Sequence, residues 1–184
     1  VGLSESRPRQ TLSYAVLRQQ VASVAREMQA CGVLPGDRVA AVLPNIPEAV
    51  IAMLATASLG AVWSSCSPDF GVQGIVDRFG QIQPKLLFAT TQYHYGGKLF
   101  DCETKVREVC HQLAGLQKLV LISALHTEPV SLETWPGAAE SFERFARHQA
   151  AELSFVRYPF NQPLYILYSS GTTGIPKCIV HGVG

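Results

Sequence analysis

The sequence predicts an α/β fold: a mainly parallel sheet with helices on both faces, plus a terminal β-hairpin. Segments of helical periodicity alternate with short β-prone apolar runs, in the order helix, strand, helix, strand, helix, strand, helix, strand. Crossovers in such a sheet should be right-handed. Near the end, two apolar runs at 164–168 and 178–180 flank a bend rich in Gly, Ser and Thr, which reads as strand, loop, strand. That pair is expected as a hairpin outside the sheet order. A composition of 47% hydrophobic and 16% charged residues fits a buried α/β core and excludes a disordered chain.

Each element has a local reason. Residues 1–10 are polar, contain Pro8, and are expected to form an arm. Ser13 can cap a helix running to about Cys31, with Tyr14, Leu17, Val21, Val24, Ala25 and Met28 on one face. Gly32 stops it, and residues 34–37 (Leu-Pro-Gly-Asp) form a turn into a strand at 38–43. Pro47 suits a helix start. The helix over 48–59 is apolar on nearly every side, as if packed between layers, and is too short to cross a bilayer. Gly60 ends it and a strand over 61–66 follows. Residues 67–71 form a loop, within which Asp69 can cap the next helix, at 72–82, whose inward face is Val72, Ile75, Val76, Phe79 and Ile82. Pro84 breaks that helix before a strand at 86–89. Residues 93–98 are expected as a long exposed loop, 102–113 as a helix, and 119–122 as a strand. Residues 123–136 look irregular. A short helix capped by Ser141 should reach about His148, and 159–163 link into the final strand pair.

The bend carries the chemistry. Tyr168-Ser169-Ser170-Gly171-Thr172-Thr173-Gly174-Ile175-Pro176-Lys177 combines flexible glycines, hydroxyl donors and a lysine stiffened by proline. These parts make a concave donor set for phosphate oxygens. An ordinary polar hairpin loop needs neither so many consecutive donors nor a lysine behind a proline. A Walker A loop requires Gly-x-x-x-x-Gly-Lys-Ser/Thr opening a helix. Here the order is Gly171-x-x-Gly174-x-Pro176-Lys177, and a strand-like run follows the lysine. That class is rejected. Lys177 is the candidate catalytic residue; Ser169, Ser170, Gly171, Thr172, Thr173, Gly174 and Lys177 are the candidate phosphate-binding set.

This run resembles the phosphate loop of the acyl-adenylate-forming (AMP-binding) superfamily. Cys178 stands where most members have Gly. Together with Gly60-Ala61-Val62-Trp63-Ser64-Ser65-Cys66-Ser67-Pro68-Asp69-Phe70-Gly71 and Asp77-Arg78-Phe79-Gly80-Gln81-Ile82, it resembles the acetoacetyl-CoA synthetase group more than its acetyl-CoA relatives. The resemblance implies an ATP-dependent acid–thiol ligase that activates acetoacetate as an acyl-adenylate, transfers it to CoA, and releases AMP and diphosphate. It implies ATP, CoA and Mg2+, with metal ligands outside this chain. It also implies a CoA loop at Gly96, Gly97 and Lys98, where Tyr95 replaces an expected arginine and could stack on adenine. Two further readings stay open: an acetyl- or other short-chain acyl-CoA synthetase, because the acid pocket would lie after the bend, and a non-catalytic nucleotide-binding module.

A formal charge of +1 offers no electrostatic case for nucleic acid or an anionic membrane. Small-molecule substrates are the expected partners. Five scattered cysteines, Cys31, Cys66, Cys102, Cys110 and Cys178, have neither zinc spacing nor a disulfide framework, and read as reduced thiols of a cytosolic protein. His94 and His111 lack partners at catalytic spacing, His181 reads as structural, and Trp63 reads as core. Val1 is not an initiator methionine and Gly184 follows directly on a strand. The expectation is a truncated N-terminal part, residues 1–184, of a large adenylate-forming domain, without the mobile C-terminal domain and inactive alone.

Overall fold

A computed structural model describes residues 1–5, 7–123, 132, 135, 138–147, 152–169 and 174–184. Among these residues the helices are α1 (Tyr14–Ala30), α2 (Pro47–Ser58), α3 (Val72–Ile82), α4 (Glu103–Gln112) and α5 (Phe142–Phe145). The strands are β1 (Arg38–Val42), β2 (Val62–Cys66), β3 (Leu86–Thr90), β4 (Gln92–Tyr95), β5 (Lys98–Asp101), β6 (Lys118–Ile122), β7 (Ala139–Ser141), β8 (Pro163–Ser169) and β9 (Lys177–Gly182).

Seven strands form one sheet in the order β7-β6-β3-β1-β2-β8-β9. Every neighbouring pair is parallel except β8–β9. The strands alternate by residue between two apolar layers, as a period of two requires. Val39, Ala41, Leu86 and Phe88 face one layer with α1, α2 and α5; Ala40, Val42, Leu87 and Ala89 face the other with α3 and α4. The expected α/β architecture, with helices on both faces, is what forms.

Capping follows the sequence closely. The Ser13 hydroxyl accepts from the Val16 amide, Pro47 opens α2, and Gly32 and Gly60 leave α1 and α2 at φ +78° and +67°. Ser141 caps α5, which ends at Phe145 rather than near His148.

Several expectations are corrected. The final hairpin is not outside the sheet: β8 lies parallel beside β2 through Trp63↔Tyr165 and Ser64↔Ile166. The Ser64 hydroxyl donates to the Ile166 carbonyl at 3.0 Å, which a central strand needs to satisfy a buried hydroxyl. Residues 93–98 are not a loop. They belong to a second, antiparallel pair, β4–β5, closed by Gly96 and Gly97 at φ +59° and +73°. Two successive left-handed residues match the twist of a tight hairpin, and only glycine adopts them without strain. Tyr93 is accordingly buried and stacks on Phe100 with centroids 5.1 Å apart. Tyr14, expected on the inner face of α1, is 90% exposed. On α2, Val50, Met53 and Leu54 stay open, so this helix is covered on one side only. β7 was not foreseen. Most of the expected irregular stretch over 123–136 lies outside the described residues.

The N-terminal arm is docked. Gly2 and Gln10 exchange two backbone hydrogen bonds, and the Arg7 guanidinium is buried, donating to Glu48 at 2.7 Å and to the Ser123 carbonyl at 2.6 Å.

Candidate functional site at the carboxyl edge of the sheet

Parallel pairing sends the segments after β1, β2, β3 and β8 to one edge, where ligands of open α/β sheets bind. The sheet order explains the crevice there. β1 is central, the chain steps to β2 on one side, then crosses over to β3 on the other.

The bend leaves this edge from Ser169, whose register partner is Lys177. Ser170, Gly171, Thr172 and Thr173 lie outside the described residues. Ser169 closes β8, and Gly174 stands at φ +103°, a conformation other residues rarely adopt. Lys177 opens β9 and is exposed; among the described residues no hydrogen bond or ion pair engages its ammonium group. An unpaired cation at the mouth of a glycine-containing bend can take an anionic oxygen without first breaking a protein contact.

The limb returning from the bend is tied to α3. The Gln81 side-chain amide donates to the Pro176 carbonyl at 2.8 Å, and the Cys178 thiol lies 3.5 Å from the Gln81 carbonyl oxygen. The outgoing limb is tied deeper. The Tyr168 hydroxyl donates to the Arg78 carbonyl at 3.2 Å and sits 3.2 Å from the Ser64 hydroxyl. Burial pushes the Tyr168 phenol up to about 12, so it stays a donor at neutral pH. His181 stacks on Tyr165, with centroids 4.9 Å apart, and so has a structural place in the hairpin.

Beside this lies a cleft of about 300 Å³ whose lining includes Glu5, Asn45, Ser67, Asp69, Tyr93 and His94. Asp69 does not cap α3, whose N-cap is Gly71 without a side-chain bond. Instead it accepts from the Ser67 hydroxyl at 2.6 Å and from the Tyr93 hydroxyl at 2.5 Å. Those two hydroxyls hold its carboxyl below the ordinary carboxylate range. Burial and the adjacent Asp69 charge push the Tyr93 phenol upward, which keeps it protonated as the donor. Lys105 reaches the Pro68 carbonyl from α4. The segment after β2 is thus fastened to the β4–β5 hairpin.

At the tip of that hairpin the Gly96 and Gly97 amides are taken by the Glu5 carboxylate, at 3.0 and 2.8 Å. Lys98 follows, exposed. Tyr95, 66% exposed, leaves its ring open to solvent. Glu5, Gln81 and the Asp69–Tyr93 bond were not singled out from the sequence. A Gly-Gly pair between alternating residues was the signal for the hairpin; the partners it brings together have no signature in spacing.

Among the described residues, no group of three or more His, Cys, Asp or Glu side chains is placed to hold a metal, and no helix is long and apolar enough to cross a membrane. All five cysteines are unpaired.

A strand, bend and strand at the carboxyl edge of a mainly parallel sheet mark an α/β protein of the ligand-binding kind, and the family can now be given: the chain belongs to the AMP-binding enzyme family, whose model matches residues 3–184. More particularly, it is 48% identical over 173 residues to the acetoacetyl-coenzyme A synthetase of Rhizobium meliloti (strain 1021), covering 94% of this chain and 26% of that protein. It is 47% identical over 177 residues to the acetoacetyl-CoA synthetase of Mus musculus, with the same coverage. It is 40% identical to the malonamoyl-CoA synthetase vrtB of Penicillium aethiopicum over 187 aligned residues. Among solved structures, the acetoacetyl-CoA synthetase from Streptomyces lividans superposes with a TM-score of 0.89 at 44% identity, covering 98% of this chain and 27% of that one. The chain therefore spans about a quarter of the length of the relatives it matches.

Proposed function

We propose that the chain is the N-terminal part, residues 1–184, of the large adenylate-forming domain of an acetoacetate–CoA ligase that forms AMP. The observation that carries this is the Ser169↔Lys177 register. It mounts a Gly- and Thr-rich bend at the ligand edge of the sheet with the lysine ammonium free among the described residues. Acetoacetate as the acid is supported by relatives of that name at 44–48% identity.

In this reading Gly171, Thr172, Thr173 and Gly174, with Ser169 and Ser170, offer amide and hydroxyl donors to the β- and γ-phosphates of ATP. Lys177 neutralises charge on the same oxygens. The acetoacetate carboxylate attacks the α-phosphorus, the α–β bridging bond breaks, and diphosphate leaves with the electron pair. The CoA thiol then attacks the acyl carbon, and AMP leaves. Lys177 is the catalytic residue of this chain because it touches the departing diphosphate. Gly96, Gly97 and Lys98 receive phosphates of CoA at the hairpin tip. Mg2+ would accompany ATP, held by ligands beyond this chain. The five unpaired thiols fit a reducing cytosol, and a formal charge of +1 fits small-molecule partners rather than nucleic acid.

The decisive assay supplies the full-length protein with ATP, CoA and acetoacetate and measures AMP. AMP release that depends on acetoacetate supports the reading; preference for acetate or another short acid replaces its substrate. Residues 1–184 alone should not turn over. Catalysis requires at least about 8 kcal/mol of barrier lowering, and phosphate contacts made equally in ground and transition state supply none of it.

A further inference from the structure

We propose that Glu5 is an internal occupant of the hairpin-tip anion site, and that a phosphate-bearing ligand must displace it to bind the Gly96 and Gly97 amides. The inference rests on the assignment of that tip to the phosphates of CoA, and adds a control on it. Two consecutive amides in a left-handed turn point to one side and form a small concavity suited to an anion. Both are satisfied by the two oxygens of one side chain, at 3.0 and 2.8 Å. Those amides hold the Glu5 carboxyl below the ordinary carboxylate range, so it is charged at neutral pH. Glu5 lines the same 300 Å³ cleft as Tyr93, His94 and Tyr95, so the carboxylate on the two amides stands beside a cavity.

The contact is built to be exchanged. The arm is held without Glu5: Arg7 docks it on Glu48 and Ser123, and the Gly2–Gln10 bridge closes it on itself. The Glu5 side chain can therefore swing away while the arm stays docked. It is exposed, so water competes for the carboxylate and the amides alike. A phosphate brings a larger negative charge than a carboxylate to the same donors, with the Lys98 ammonium next in the chain. Occupancy by Glu5 lowers the apparent affinity by the fraction of molecules in which the amides are free.

The test titrates adenosine 3′,5′-bisphosphate, a nucleotide with phosphates of the CoA type, into the full-length protein and its Glu5→Gln variant. Calorimetry gives affinity, and glycine-selective amide resonances report Gly96 and Gly97. If Glu5 holds the tip about nine-tenths of the time, Glu5→Gln should bind roughly tenfold more tightly. Lys98→Met should weaken binding in both backgrounds, and the Gly96 and Gly97 resonances should move on titration. Equal affinities of parent and Glu5→Gln overturn the proposal. So does binding that leaves those two resonances in place, and so does no binding to either protein. Matched unfolding midpoints of parent and variant establish that a changed affinity is not a folding defect. An ATP titration runs in parallel. ATP binding without bisphosphate binding sinks the Glu5 proposal and leaves the nucleotide assignment standing; bisphosphate competition without ATP binding does the reverse.

Discussion

The Lys177 ammonium is the group whose removal is most informative, because among the described residues no hydrogen bond or ion pair engages it. Charge-assisted contacts of this kind contribute about 1.5–3 kcal/mol net, so Lys177→Met should weaken ATP binding by roughly 10–150-fold. Equilibrium titration of the full-length variant reads this directly, and an unchanged unfolding midpoint should accompany it. Asp69 behaves differently, because its role is to fasten. Its carboxyl sits below its ordinary value of 3.8, chiefly through the Ser67 and then the Tyr93 hydroxyl. A depressed acid stabilises the fold at pH above its unfolded pKa and loses that contribution as pH falls through its folded one. The stability gap between parent and Asp69→Asn should therefore be full above about pH 4 and close below it. A gap that persisted in acid would show that the charge is not what matters. Gly60 is a residue whose lack of a side chain is essential. It stands at φ +67°, and a Cβ there would run into the ring of Tyr158, whose hydroxyl donates to the Leu59 carbonyl at 3.0 Å. Gly60→Ala should lose at least about 1–2 kcal/mol, the conformational penalty alone, in denaturant titrations.

Elements were legible where one local cause decided them. The capped start of α1, the proline start of α2 and the amphipathic stripe of α3 were each written in a few adjacent residues. Phe79 of that stripe is fully buried, and Phe79→Ala should cost about 3–5 kcal/mol by the same denaturant titrations. The hairpin of β4 and β5 was missed because 93–98 was read as a loop, whereas the stacking of Tyr93 on Phe100 across the strands is a pairwise property. β7 was missed for a related reason: its three residues gain strand geometry only from the register Leu119↔Ala139 to Leu121↔Ser141. At the proposed site, the lysine, the glycines and the hydroxyls stood out in the sequence because phosphate chemistry calls for those residue types in a row. Gln81 was not. It acts through a backbone carbonyl, which leaves no trace in sequence. Gln81→Ala should loosen the limb at Pro176 and raise the KM for ATP more than it lowers kcat. An effect on kcat alone would remove Gln81 from the positioning of the bend.

At the scale of the molecule, the arm is the least expected part. A polar decapeptide with a proline was read as peripheral, yet it buries an ion pair in which the Arg7 and Glu48 side chains keep 3% and 13% of their exposure. Removing one partner of such a pair leaves an unmatched buried charge, a loss of about 3–5 kcal/mol. Arg7→Met should accordingly destabilise far more than the double replacement Arg7→Met with Glu48→Met, as a double-mutant cycle would measure. The pairing of β2 with β8 has a longer reach. Ser64 and Ile166 are 102 positions apart, and closing so long a span costs about 4 kcal/mol in chain entropy before any contact repays it. The nucleotide bend hangs from the strand that must come furthest to dock. Damage at Trp63 or Ser64, buried and remote in sequence from the bend, should thus surface first as weakened nucleotide affinity, while the packing around β1 and β3 still holds its shape.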